Sequence, residues 1–290
     1  MAAIIAGCGG ATGAALARRF AKEGLKVYGA RRRPPAGSTT AAVDFRDEAA
    51  VAAFVASVPE PVEVAVHNIG GNVRFPVAET TTRVYTKVWE LCALSAFHFS
   101  KAVVPGMVAR GRGTVVFTGA TASTRGGAGF AAFASAMAAK RALAQSLARE
   151  VGPQGVHVAS VIVDGGIDTA FVRDLLGEAA YADLKGRDGL LDPDAIADAY
   201  WALHAQRRSA WTHELDLRPY CETWYWDAAI RSRPAAPRGL GRCPLRPTRE
   251  TRSRGRAYGE AVGPGDGVTR GRWAGRLGAG RACAGGRPRG

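Results

Sequence analysis

Near its start the chain reads AIIAGCGGATGAALARRFAKEG, and this stretch constrains the fold more than any other. The apolar run at 3–7 is too short to be a buried helix, and helical periodicity follows at once over 13–23. Between the two stand Gly7, Gly9, Gly10 and Gly13. A strand, a glycine-rich turn and a helix in that order form a βα unit whose backbone can approach a phosphate closely. The helix's open N-terminal amides and its dipole then hold that phosphate. The motif in this context predicts dinucleotide binding, with Gly7, Gly9 and Gly13 in the phosphate loop.

The rest of the first 226 residues repeats the alternation. Further strand-like runs are LKVYGA (25–30), a brief TTAAV (39–43), VEVAVHN (62–68), TVVFTG (114–119), VHVASVIVDG (156–165) and WTHELDL (211–217). Amphipathic helical patterns fall at 46–57, 81–110 and 130–151. Strands alternating with long helices predict an α/β fold: a Rossmann-like doubly wound parallel sheet of about seven strands with helices on both faces.

Composition divides the chain. Residues 227–290 hold 15 Arg, no Lys and four acids, a net of +11 out of the chain's +14, which leaves +3 for residues 1–226. With 14 Gly and 6 Pro and almost no large apolar residues, that tail is expected to be disordered. Its wealth of Arg, Gly, Ala and Pro after Ile230 is what a GC-rich gene gives when read out of frame, with the native frame continuing from near Trp224. The rival reading, nucleic-acid binding by the tail, is not favoured. The tail has scattered Arg-Gly steps and, for stacking on bases, only Tyr258 and Trp273.

Five cysteines without CxxC spacing suggest neither a disulfide framework nor a zinc site. His67, His98, His157, His204 and His213 show no metal-binding spacing, so no metal is expected. With no apolar run near the roughly 20 residues of a membrane span and no signal peptide, the expected location is the cytoplasm.

The second strand ends in Ala30-Arg31-Arg32-Arg33, where a chain selecting NAD carries an acid for the ribose 2′-hydroxyl. Guanidinium groups suit a 2′-phosphate, so Arg31 and Arg32 point to NADP(H) over NAD(H).

With these elements in place, residues 1–225 resemble the short-chain dehydrogenase/reductase family. The glycine motif TGxxxGxG falls on residues 6–13, and the adenine-side acid on Asp44 in AVDFRD. NNAG falls on His67-Asn68-Ile69-Gly70, keeping Asn68 and Gly70. PGxxxT falls on Asp164 to Thr169, and the resemblance puts Ile167 at the nicotinamide amide and Thr169 at a phosphate. The family's Asn, Ser, Tyr and Lys fall on Cys92, Ala120, Phe133 and Met137. The phenyl ring of Phe133 has no proton to give and the thioether of Met137 cannot carry charge, so the family's usual mechanism is not expected at these atoms.

The candidates to take over are Thr121 or Ser123 as the hydroxyl orienting a substrate, and Lys140, two turns after Phe133, as a charge. The alternative placement for Lys140 is solvent. His67, in place of an Asn, is a candidate cofactor contact, whereas His98 is expected to be buried or to face a partner. The resemblance implies an oxidoreductase of a small carbonyl or alcohol. Phe171, Val172, Leu175 and Leu176 suggest an apolar lid, hence an apolar substrate. It also implies a homodimer or homotetramer through the helices before and within FASAMAAKRALAQSLARE. An opposing reading keeps the fold and the cofactor but not the catalysis: an NADP(H)-binding pseudoenzyme or sensor.

Overall fold

The computed structural model describes residues 1–222. The expectations for residues 227–290, and the domain boundary at 226, lie outside the described residues. In chain order the elements are β1 (Ala2–Ala6), α1 (Gly10–Lys22), β2 (Lys26–Arg31), β3 (Ala41–Ala42), α2 (Glu48–Ala56) and β4 (Val62–His67). Next come α3 (Thr82–Trp89), α4 (Ser95–Ala109), β5 (Gly113–Ala120), α5 (Ala131–Val151) and β6 (Val156–Val163). Last are α6 (Ala170–Leu176), α7 (Glu178–Gly186), α8 (Pro193–His204) and β7 (Glu214–Leu217).

The seven strands form one sheet in the order β3-β2-β1-β4-β5-β6-β7, every pair parallel. Both faces are buried, and the strand alternation assigns them. Ile4, Ala6, Ala65, Val115 and Phe117 pack with Val103, Met107, Ala144 and Leu147 of α4 and α5. Ala3, Ile5, Val64, Val66 and Val116 pack with Leu16 and Phe20 of α1 and with Ile196 and Tyr200 of α8.

Strand order reverses direction between β1 and β4, so the crevice beyond their C-terminal ends is where such a sheet takes a ligand. Ala6 pairs with Ala30 and His67, and His67 with Phe117, so β1, β2 and β4 end nearly level, whereas β5 and β6 run three residues further, to the Ala120–Val163 pair.

The predicted helix at 81–110 is a composite. A π-helical turn, Glu90–Leu94, joins α3 to α4 and places Cys92. The continuous helix Thr82–Ala109 is apolar enough in composition for a membrane span, but half of its apolar window is buried inside the protein. Its apolar side chains, Phe99, Val103 and Met107 among them, form the core under the sheet.

Candidate functional site

A cleft of about 970 Å³ opens along the C-terminal edge of the sheet. Its floor begins at the phosphate loop. Gly7 has φ +85°, and a Cβ there would lie 2.4 Å from the Asn68 carbonyl oxygen, so no side chain is tolerated. Gly9 caps α1 without any side-chain hydrogen bond, and no acid stands in the first turn. The amides of that turn are therefore available to an anion. Gly9, Gly10, Ala11 and Thr12 line the cleft, while Gly7 and Gly13 lie beneath it, shaping the turn.

Arg31, at the end of β2, lies directly over Gly9: a Cβ there would meet its Nη1 at 2.4 Å. Arg32 is exposed beside it. Asp44 is fastened by Arg46, whose Nε donates at 2.9 Å and holds the carboxyl below its usual range; it does not line the cleft.

After β4, Asn68, Gly70 and Asn72 line the cleft. The Asn68 amide donates to the Gly7 carbonyl at 3.3 Å, joining this loop to the phosphate loop. His67 corrects an expectation. Its ring is fully buried, 2.9 Å from the Ser95 hydroxyl and close to Phe99 and Phe117, so it serves the core and not the cleft. Burial, and then the nearby Lys140 charge, push its pKa well below the ordinary 6.5. His98 is buried, as expected.

Lys140 sits neither in the cleft nor in solvent. It is 1% exposed, and its Nζ donates to the Ile69 carbonyl at 2.9 Å, beneath the loop. Burial lowers its pKa to about 8. Thr121 does line the cleft, but its hydroxyl donates to Asp164 Oδ1 at 2.5 Å. Ser123 does not line it; its buried Oγ accepts from the Ala120 amide at 3.1 Å.

The sequence reading missed a polar cluster here. Asp164 is 2% exposed, and both its oxygens accept from the Arg125 fork, at 3.0 and 3.1 Å, while Arg218 lies at 3.8 Å. Arg125 lines the cleft. The available signal was an acid closing an otherwise apolar strand, since such a group needs a partner once buried.

Ile167 and Thr169 line the cleft; the Thr169 hydroxyl accepts from the Val172 amide at 3.2 Å and so starts α6. Phe171 and Leu175, 63% and 40% exposed, and Val172 carry the apolar wall. Leu176 packs instead with Val172, Tyr181 and Leu190.

Cys92, Phe133 and Met137 are buried in one small apolar cluster with Val88, and Ala120 packs against it. Four positions from the π turn, β5 and α5 thus meet at a single place, and Phe133 turns to the cleft.

A family model for short chain dehydrogenases matches residues 1–179 of the chain. The chain belongs to this family of oxidoreductases. Among curated relatives of this short-chain dehydrogenase, the 3-oxoacyl-[acyl-carrier-protein] reductase FabG of Vibrio cholerae is 27% identical over 68% of this chain and 86% of its own length. The NADP-dependent 3-hydroxy acid dehydrogenase YdfG of Salmonella typhi is 25% identical over 69% of this chain and 88% of its own. Among solved structures, a short-chain dehydrogenase from Rhodopseudomonas palustris is 40% identical with a TM-score of 0.62, covering 75% of this chain and 99% of that one.

Proposed function

We propose that the cleft holds NADP(H) and that the protein oxidises or reduces a small, apolar alcohol or carbonyl with a reduced acid/base set. The observation that carries the cofactor reading is Arg31 over Gly9, a guanidinium at the edge of an uncapped helix N-terminus, where a 2′-phosphate beside a pyrophosphate would be met. Gly7, Gly9 and Gly13 give the backbone its close approach. Arg31 and Arg32 favour the phosphate, Asn68 and Gly70 form the facing wall, and Ile167 and Thr169 close the nicotinamide end. Asp44, neutralised by Arg46, supports the adenine side through its loop. Bound there, the nicotinamide would supply or accept a hydride.

Thr121 is the substrate-facing hydroxyl. Because it donates its proton to Asp164, it offers the cleft only acceptor capacity, which suits an alcohol O–H better than a carbonyl oxygen. Water is then the proton carrier, and turnover is slower by the factor of roughly 10²–10⁴ that a positioned acid or base contributes. Lys140 and Ser123 take no part in that transfer.

A second reading, cofactor binding without turnover, is favoured by the apolar cluster that unites Cys92, Ala120, Phe133 and Met137. Fluorescence titration with NADPH and NADH, followed by a panel of secondary alcohols and ketones, separates the two. Saturable NADPH binding with turnover supports the first reading and binding without turnover the second; no binding of either nucleotide removes both. Free thiols at Cys8, Cys92 and Cys221 suit the reducing cytoplasm. The exposed Tyr85, Trp89 and Phe97 of α3 and α4 suit a homodimer or homotetramer, measurable by light scattering.

A further inference from the structure

Lys140 is unusual in its surroundings. It is among the largest fully buried side chains, and no carboxylate pairs with it among the described residues. The groups facing it are the His67 imidazole on β4 and the Cys92 thiol on the π turn, and neither supplies a full negative charge. Burial raises the Cys92 thiol above its usual range, with Lys140 opposing that rise. A leucine or methionine would fill such a position on α5 without burying a charge.

What the ammonium touches is the Ile69 carbonyl, at 2.9 Å. Ile69 stands between Asn68 and Gly70, both of which line the cleft. The same short segment supports the phosphate loop. A Cβ on Gly7 would meet the Asn68 carbonyl at 2.4 Å and Ile69 Cγ1 at 3.2 Å, and the Asn68 amide holds the Gly7 carbonyl. Cys92 abuts the far end of the segment, its Sγ 3.8 Å from where a Cβ of Gly71 would lie. Contact therefore runs from α5 through Lys140 to Ile69, and from there to both walls of the cleft.

We infer that Lys140 is a positioning residue for the dinucleotide, fixing the Asn68–Asn72 segment and the phosphate loop from beneath without touching the ligand. The inference rests on the cofactor reading above. Lys140→Met keeps the volume and removes the donor. NADPH binding, followed by fluorescence, should weaken about tenfold in the variant, while the urea midpoint at pH 7 does not fall. Amide hydrogen exchange at Ile69, Gly70 and Gly71 should speed up in the protein without nucleotide. A filler of the core would move the midpoint and leave the affinity alone.

Lys140→Gln, which retains an N–H donor, should recover part of the affinity, and it serves in place of the methionine variant should that one fail to fold. Wild-type affinity and unchanged exchange in Lys140→Met would overturn the inference. If the wild type binds neither NADPH nor NADH, the cofactor reading has failed. In that case the exchange rates of the segment still decide whether Lys140 holds it.

Discussion

Replacing Lys140 by methionine should change how stability depends on pH, and the size of the change follows from its burial. The side chain's pKa falls from the ordinary 10.5 to about 8, because the folded protein hides the ammonium from water. At 1.36 kcal/mol for each pH step, folding therefore costs about 3 kcal/mol for keeping that proton at neutral pH. The hydrogen bond to Ile69 returns part of it, since an orphaned buried carbonyl costs about 1–3 kcal/mol.

Below pH 8 both folded and unfolded chains carry the proton, and the cost is constant. Between about 8 and 10.5 the unfolded chain still holds it while the folded chain does not, so wild-type stability gains as pH rises. Methionine removes that linkage. Urea unfolding followed by tryptophan fluorescence should show the two proteins close in stability at pH 7. From pH 8 to 9.5 the wild type should gain about 2 kcal/mol on the variant. Parallel pH profiles would mean that Lys140 carries no buried proton, and the reasoning would be refuted.

Arg31→Ala should weaken NADPH binding at least tenfold while leaving NADH within twofold in the same titration; equal losses would make Arg31 a general anchor of the loop, not a reader of the 2′-phosphate. Asp164→Asn should lower unfolding stability by about 1.5–3 kcal/mol, because the buried carboxylate's charge-assisted hydrogen bonds with the Arg125 fork are lost; a loss below about 1 kcal/mol in urea would mean that other groups and solvent compensate them. Joint replacement of Phe133→Tyr and Met137→Lys should raise NADPH-dependent ketone reduction by about 10²–10⁴. No gain in a folded double variant that binds NADPH would show that the alignment of these positions with the family's Tyr and Lys does not transfer to function.

The fold was legible where its cause is local. Gly7 and Gly13 are needed by the turn itself, and buried strands such as VHVASVIV announce themselves as continuous β-branched runs. Ends were less legible. The helix predicted from residue 13 starts at Gly10, because an open N-terminus shaped by glycine has no capping side chain to mark it. WTHELDL pairs only over Glu214–Leu217, against Ser160–Val163 of β6.

The π turn at Glu90–Leu94 left no trace in the apolar pattern, since one residue of extra winding is absorbed by neighbouring side chains. Within the site, the sequence placed Lys140 on the right helical face, but not at its depth. Periodicity says which way a side chain points and nothing of the carbonyl it meets 71 positions away. The Asp164 cluster escaped for the same reason: Thr121, Arg125 and Arg218 are brought to it only by the sheet.

The apolar cluster around Phe133 ties its members to one another. Cys92, Phe133 and Met137 pack against one another with Ala120 beside them, and a tyrosine at 133 would keep its ring in that cluster while turning toward the cleft. A lysine introduced alone at 137 would add a second ammonium one helical turn from Lys140. That ammonium would be buried without a partner, since Met137 is 2% exposed and does not line the cleft, at about 1–3 kcal/mol or more. A charge introduced at 137 therefore calls for a partner introduced with it, and substitutions within this cluster will not be additive.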